Sequence, residues 1–216
     1  KGYFGKLEAG TDFDRYRNGK AMINSFKKKQ KIAAYVLHNN TSFEGLNWNE
    51  QRNYGGDANS NMEMNDDGDI MIWNEGDDFN RGQGLPQSTT AGLTYMNKWN
   101  KDKSSVNGSF QLNDQDVTGR NVSITKTILP DTAFSNNTTE VFNSYRNRKK
   151  VNAFYEWQID SSSTMKFKAN GALINGRKNN QYTGESISEQ NTIINSTKRT
   201  LSNETENRDF TSELSW

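Results

Sequence analysis

The chain has 216 residues, 31% of them apolar, and its 27 basic and 26 acidic side chains leave a formal net charge of +1. Too few apolar residues are present for an ordinary core, yet 11% are aromatic and only two are proline, which is not the residue usage of a disordered chain. Near-neutrality excludes a bulk field that recruits nucleic acid, and the absence of cysteine excludes thiol nucleophiles, disulfides and thiolate metal sites.

Alternation at period two predicts strands near 4–11, 15–27, 31–41, 89–99, 104–112, 121–129, 140–159 with a break, 164–175 and 208–216. Polar turns join three of the pairs: Lys28-Lys29-Gln30, Asn100-Lys101-Asp102-Lys103 and Asp160-Ser161-Ser162-Ser163. The segments 42–88 and 176–207 read as long polar loops. Short turns therefore alternate with long loops, which is the asymmetry of transmembrane barrels, with short periplasmic turns and longer extracellular loops.

The strand faces agree with that pattern. Leu93, Tyr95 and Trp99 oppose Thr94 and Lys98; Val106, Phe110 and Leu112 oppose Asn107, Ser109 and Gln111; Phe210, Leu214 and Trp216 oppose Thr211, Glu213 and Ser215. Val151, Ala153, Tyr155, Trp157 and Ile159 alternate with polar neighbours, and so do Met165, Phe167, Ala169 and Leu173. Phe110, Tyr155, Trp157 and Phe167 are the candidates for lipid contact, with the polar face turned to a watery lumen. No run approaches the roughly 18 apolar residues of a membrane helix, so crossing requires a closed barrel. Lys1-Gly2-Tyr3-Phe4 is not a signal peptide and no initiator Met precedes it, so the expectation is a processed product or a segment of something longer.

The opening Lys1-Gly2-Tyr3-Phe4-Gly5-Lys6-Leu7-Glu8-Ala9-Gly10, then Asp14-Arg15-Tyr16 and Ala21-Met22-Ile23-Asn24-Ser25-Phe26-Lys27, closely resembles the first barrel strands of TonB-dependent-receptor-like outer-membrane proteins of Bacteroidota. Gly45-Leu46-Asn47-Trp48, Gly84-Leu85-Pro86-Gln87, Asn97-Lys98-Trp99-Asn100 and Leu129-Pro130-Asp131 extend the likeness, in order, over essentially all of the chain. The resemblance is to the subgroup with an N-terminal carboxypeptidase-regulatory-like domain. It implies an all-β antiparallel barrel of about 22 strands, of which residues 1–216 supply eight or nine, and a cell outer-membrane location in a Gram-negative bacterium. No residue here matches the family's plug, regulatory-like domain or TonB-contacting segment, so TonB would be engaged only through those regions.

Candidate chemistry is sparse. Glu63, Asn65, Asp67 and Asp69, with Gly68 at the turn, imitate the front of an EF-hand loop and make Ca²⁺ the one cofactor to test; the back fails, because position twelve falls on Asn74. Arg81-Gly82-Gln83-Gly84 lacks the strand–loop–helix setting of a phosphate cradle. His38, the single histidine, has no metal partner in register, and a strand-end hydrogen bond suits it better. Trp48, Tyr54, Trp73 and Phe79, set among Asn, Asp and Gly, suit either a ligand- or partner-contacting loop or a loop packed on its own rings. No nucleophile, base and orienting group converge, so no enzyme is expected.

The functional expectation is a segment of outer-membrane barrel that contributes wall and surface loops to ligand or nutrient uptake. One rival is a structural barrel that scaffolds a multisubunit outer-membrane complex, gripping surface lipoproteins or other outer-membrane subunits. The other is a soluble β-sheet surface binding module. Outer-membrane lipid is the expected partner under the first two, and nucleic acid under none.

Overall fold

A computed structural model describes residues 1–40, 62–64, 70–72, 84–130 and 132–216, with backbone only for 62–64 and 70–72. The described chain is all-β. Strands β1 (Gly2–Thr11), β2 (Arg17–Lys27), β3 (Gln30–Asn39), β6 (Leu85–Trp99), β7 (Ser104–Ile128), β8 (Ala133–Gln158), β9 (Thr164–Ser188) and β10 (Ile193–Ser215) form one eight-stranded antiparallel sheet. They are hydrogen-bonded in that order, each inner strand to both of its neighbours in the series. A separate two-stranded ladder joins β4 (Met62–Met64) to β5 (Ile70–Ile72). The large sheet is open: β1 and β10 are its edges and do not pair with each other.

The three expected turns lie at one end. Lys28 and Asn100 through Asp102 take positive φ there, the left-handed geometry that tight hairpins use. Lys29 of one turn reaches the Asp102 carboxylate of the next, which ties neighbouring hairpins across the sheet end. At the third turn Asp160 Oδ1 accepts from the Ser162 and Ser163 amides, both at 2.8 Å. At the opposite end Asp12 Oδ1 closes the β1–β2 turn by accepting from the amides of Asp14, Arg15 and Tyr16.

The second half of the sheet departs from the expectation. Residues 104–112 and 121–129, read as two strands, belong to one continuous β7, and β8 runs without the expected break. Residues 176–207, expected to be loop, instead extend β9 and supply most of β10, leaving only a short turn at 189–192. Asn-, Asp-, Ser- and Thr-rich sequence has weak intrinsic strand preference, but cross-strand pairing decides the outcome. The β7–β8 ladder runs from Ser104↔Trp157 to Ile128↔Ala133 with no slip, and the polar stretch Asn113–Asp116 is carried through it.

Burial falls almost wholly on one face. Met22, Ala33, Tyr35, Leu37, Val117, Phe142, Asn24, Asn39, Ser88, Thr94, Ser109, Ser144 and Asn180 share the inner face by register, and only Ala133 and Ser104 lie on the other. Two glycines are covered by rings there. The Tyr35 ring lies on Gly92, its cross-strand partner, and the Phe142 ring lies on Gly119 and Gly84, positions where a Cβ would collide with the ring. An aromatic laid across a strand glycine restores the packing that the missing side chain forgoes.

Candidate functional site: the two faces of the sheet

The outer face carries a band of exposed apolar side chains that crosses every strand of the large sheet. One row runs through Ile23, Ala34, Leu93, Phe110, Val151, Gly171 and Phe210, each beside the next across the ladder. Toward the turns, the next rows hold Tyr95, Val106, Tyr155, Phe167 and Leu214, then Trp99 and Trp157. Trp99 and Tyr155 stack with ring centroids 6.1 Å apart. The candidates Phe110, Tyr155, Trp157 and Phe167 thus share this one face, and Phe110, Trp157 and Phe167 are 38–42% exposed on it.

The band has a defined height. On β7 it occupies 104–112, roughly 30 Å of strand, and ends at the row Leu112, Lys149, Leu173 and Arg208. Over the next two rows the same face is mostly polar, Asp114, Asn147, Asn175 and Glu206, then Asp116, Tyr145, Arg177 and Glu204, and further out exposed Leu85, Val141, Val122 and Ile124 are scattered among polar neighbours. Contiguous exposed apolar area of this extent marks a surface that contacts something other than bulk water alone, a partner or lipid.

The inner face at the same height is polar and charge-paired. Glu8 sits between Lys6, at 2.7 Å, and Lys20, at 3.9 Å; Lys166 faces Glu156 at 3.7 Å and Lys168 faces Glu213 at 3.9 Å. Lys31 lies 5.9 Å from the centroid of the Phe26 ring. Amides fill the spaces between. Asn113 donates to Thr90 Oγ1 at 2.8 Å, Asn152 to Ser109 Oγ at 3.1 Å and Gln111 to the Tyr35 hydroxyl at 3.3 Å.

Further from the turns, well beyond the band, Glu140 accepts from Asn180 at 2.7 Å and Asn121 at 3.3 Å. The Tyr182 hydroxyl, and then these amides with nearby Lys178, hold the Glu140 carboxyl below its ordinary value against a smaller desolvation effect. Arg199 lies over the Tyr182 ring at 4.7 Å. The turn carboxylates Asp12 and Asp160 are likewise held low, chiefly by the Asp14 and Ser162 amides respectively.

Other sequence candidates fall as follows. His38 Nδ1 lies 2.9 Å from Thr89 Oγ1 near the end of β3, the strand-end hydrogen bond expected for it. The cation loop Glu63, Asn65, Asp67 and Asp69 lies outside the described residues, save for the Glu63 backbone in β4, and Trp48, Tyr54, Trp73 and Phe79 lie outside them entirely. Among the described residues no cluster of acidic or histidine side chains could hold a metal. Sequence reading passed over Asn180 and Tyr182 because 176–207 read as loop, which left Glu140, at the expected start of a strand, without visible partners; only the alternation of Asn180 and Tyr182 with Gln181 and Thr183 hinted at a common face.

No family model matches the chain, and neither a curated protein nor a solved structure does.

Proposed function

We propose that the chain is a sector of an outer-membrane β-barrel of TonB-dependent-receptor-like type, its outer face against lipid and its inner face lining the lumen through which a ligand or nutrient is taken up. The observation that carries this reading is the apolar band: it crosses all eight strands, is densest over a nine-residue height suited to tilted membrane strands, and is rimmed at the turn end by Trp and Tyr. Open edges in hydrocarbon leave backbone groups without partners, so β1 and β10 would each pair with further strands in the assembled wall. The lumen role is passive, a polar surface over which solutes exchange water for amide and charged groups.

The polar extensions of β7 through β10 support a second role. Past the band, residues 113–128 of β7 alone add roughly 50 Å of strand. Standing clear of lipid on the cell exterior, such a rampart suits docking of surface lipoproteins or other outer-membrane subunits, so wall and scaffold are compatible roles of one structure.

The cysteine-free sequence permits a direct test. Single cysteines at each position from 149 to 157 of β8, spin-labelled in the full-length protein in vesicles, should alternate: odd positions collide with lipid-dissolved oxygen and even positions do not. Uniform access to a water-soluble relaxation agent at odd positions would refute the lipid-facing assignment and favour a soluble module.

A further inference from the structure

Three cations stand in a column on the inner face of β8: Arg146, Arg148 and Lys150, two residues apart and therefore roughly 7 Å apart along the strand. The setting of Arg148 and Lys150 differs from that of four lysines on the same face. Lys6, Lys20, Lys166 and Lys168 each have a carboxylate within 4 Å, whereas Arg148 and Lys150 have no ion-pair partner among the described residues. On the β7 side the column is flanked by Gln111, Asn113 and Gln115, and on the β9 side by Ala172, Ile174 and Gly176. Arg148 Nε is shielded from solvent with no acceptor. Asp209 is the nearest acid in register with Lys150, two strands away across Ala172, and it accepts from Asn207 at 3.1 Å.

An uncompensated guanidinium and ammonium beside positioned amides form a receptor for oxyanions: guanidinium gives a planar donor fork, ammonium a point charge, and the amides fill the remaining lone pairs. Gln111 and Asn113 are already oriented by Tyr35 and Thr90. We propose that Arg148 and Lys150 form a binding track for an extended small polyanion, whose carboxylate or phosphate groups bridge the two cations along β8, with Arg146 adding positive field at one end. The track uses the inner face alone, so it stands whether or not the outer band meets lipid.

The test is isothermal titration of the purified full-length protein with linear tripolyphosphate and, in a separate arm, triglutamate, at low ionic strength. Arg148→Gln with Lys150→Gln should weaken binding about tenfold or more, and Arg148→Lys with Lys150→Arg, which keeps both charges in place, should preserve binding within about threefold. Added salt should weaken wild-type binding more steeply than that of the double Gln variant. Binding of tripolyphosphate alone would identify a phosphoryl ligand, and binding of both probes a general oxyanion track. Failure of the wild type to bind either probe, or equal binding by the double Gln variant, would overturn the proposal.

Discussion

Phe110→Arg separates a lipid-facing band from a merely exposed one. Phe110 lies inside the band between Leu93 and Val151, one row short of its far limit, while Trp157 lies at the turn-end rim; their exposures are 42% and 39%. With similar exposure the two sites would respond alike in water, each within about 1 kcal/mol, because an arginine stem can cover much of what the ring covered. In a bilayer depth governs the cost, about 2–4 kcal/mol for Arg at the midplane and about 0–1 near the interface. Replacing Phe110, inside the band though off its centre, by Arg should therefore cost roughly 1–3 kcal/mol more than replacing Trp157 by Arg. Reversible folding of the full-length protein into phospholipid vesicles, followed by urea titration, measures the difference. Equal costs at the two positions in lipid would refute the reasoning.

Lys168→Gln, on the inner face beside a half-exposed Glu213, should change stability by less than about 1 kcal/mol in the same titration. Gly92→Ala places a methyl 2.3 Å from the Tyr35 ring and should destabilise by about 1–3 kcal/mol, with Tyr35 fluorescence reporting the displaced ring. The Glu140 carboxyl is held low, so its contribution is full above the ordinary glutamate value and is lost as pH falls through the depressed folded value; amide exchange near Asn121 and Asn180 should quicken over that acidic window in wild type but not in Glu140→Gln. Asp12→Ala removes the acceptor shared by three turn amides, and exchange at Asp14, Arg15 and Tyr16 should accelerate while β7–β8 amides stay protected.

The first half of the sheet was legible because its strands combine alternation with turn chemistry. Lys28-Lys29, Asn100 through Lys103 and Asp160 through Ser163 interrupt runs of Ile, Val, Phe and Tyr, and those turns sit at one end of the sheet. The extended half was hidden for a physical reason. Both faces of β9 and β10 beyond the band are mostly polar, with Ile187, Ile193, Ile194 and Leu201 isolated among them, so no period-two contrast marks Arg177–Ser188 or Ile193–Asn207 as strand, and their order comes from ladder pairing that a local window cannot register. The Phe110, Tyr155, Trp157 and Phe167 face was readable from parity alone. The cation column was visible only as the basic run Arg146 through Lys150; the neighbouring strands were needed to see that Lys149 is on the opposite face from the other members and that no acid among the described residues pairs with Arg148 or Lys150.

The pairing of β7 with β8 is unbroken from the tryptophan row to the far turn, and the only irregularity recorded in the β9–β10 pairing is at Ile193 and Asn195, near the far turn. Such a pleat acts as a counter. Inserting or deleting one residue between Arg146 and Trp157 would send either the cations outward or the tryptophan and valine inward, whereas a change of two preserves both sets. Length variation within this part of β8 is therefore quantised in pairs, while the 129–132 and 189–192 connections, beyond the ends of the ladders, are free to vary one residue at a time.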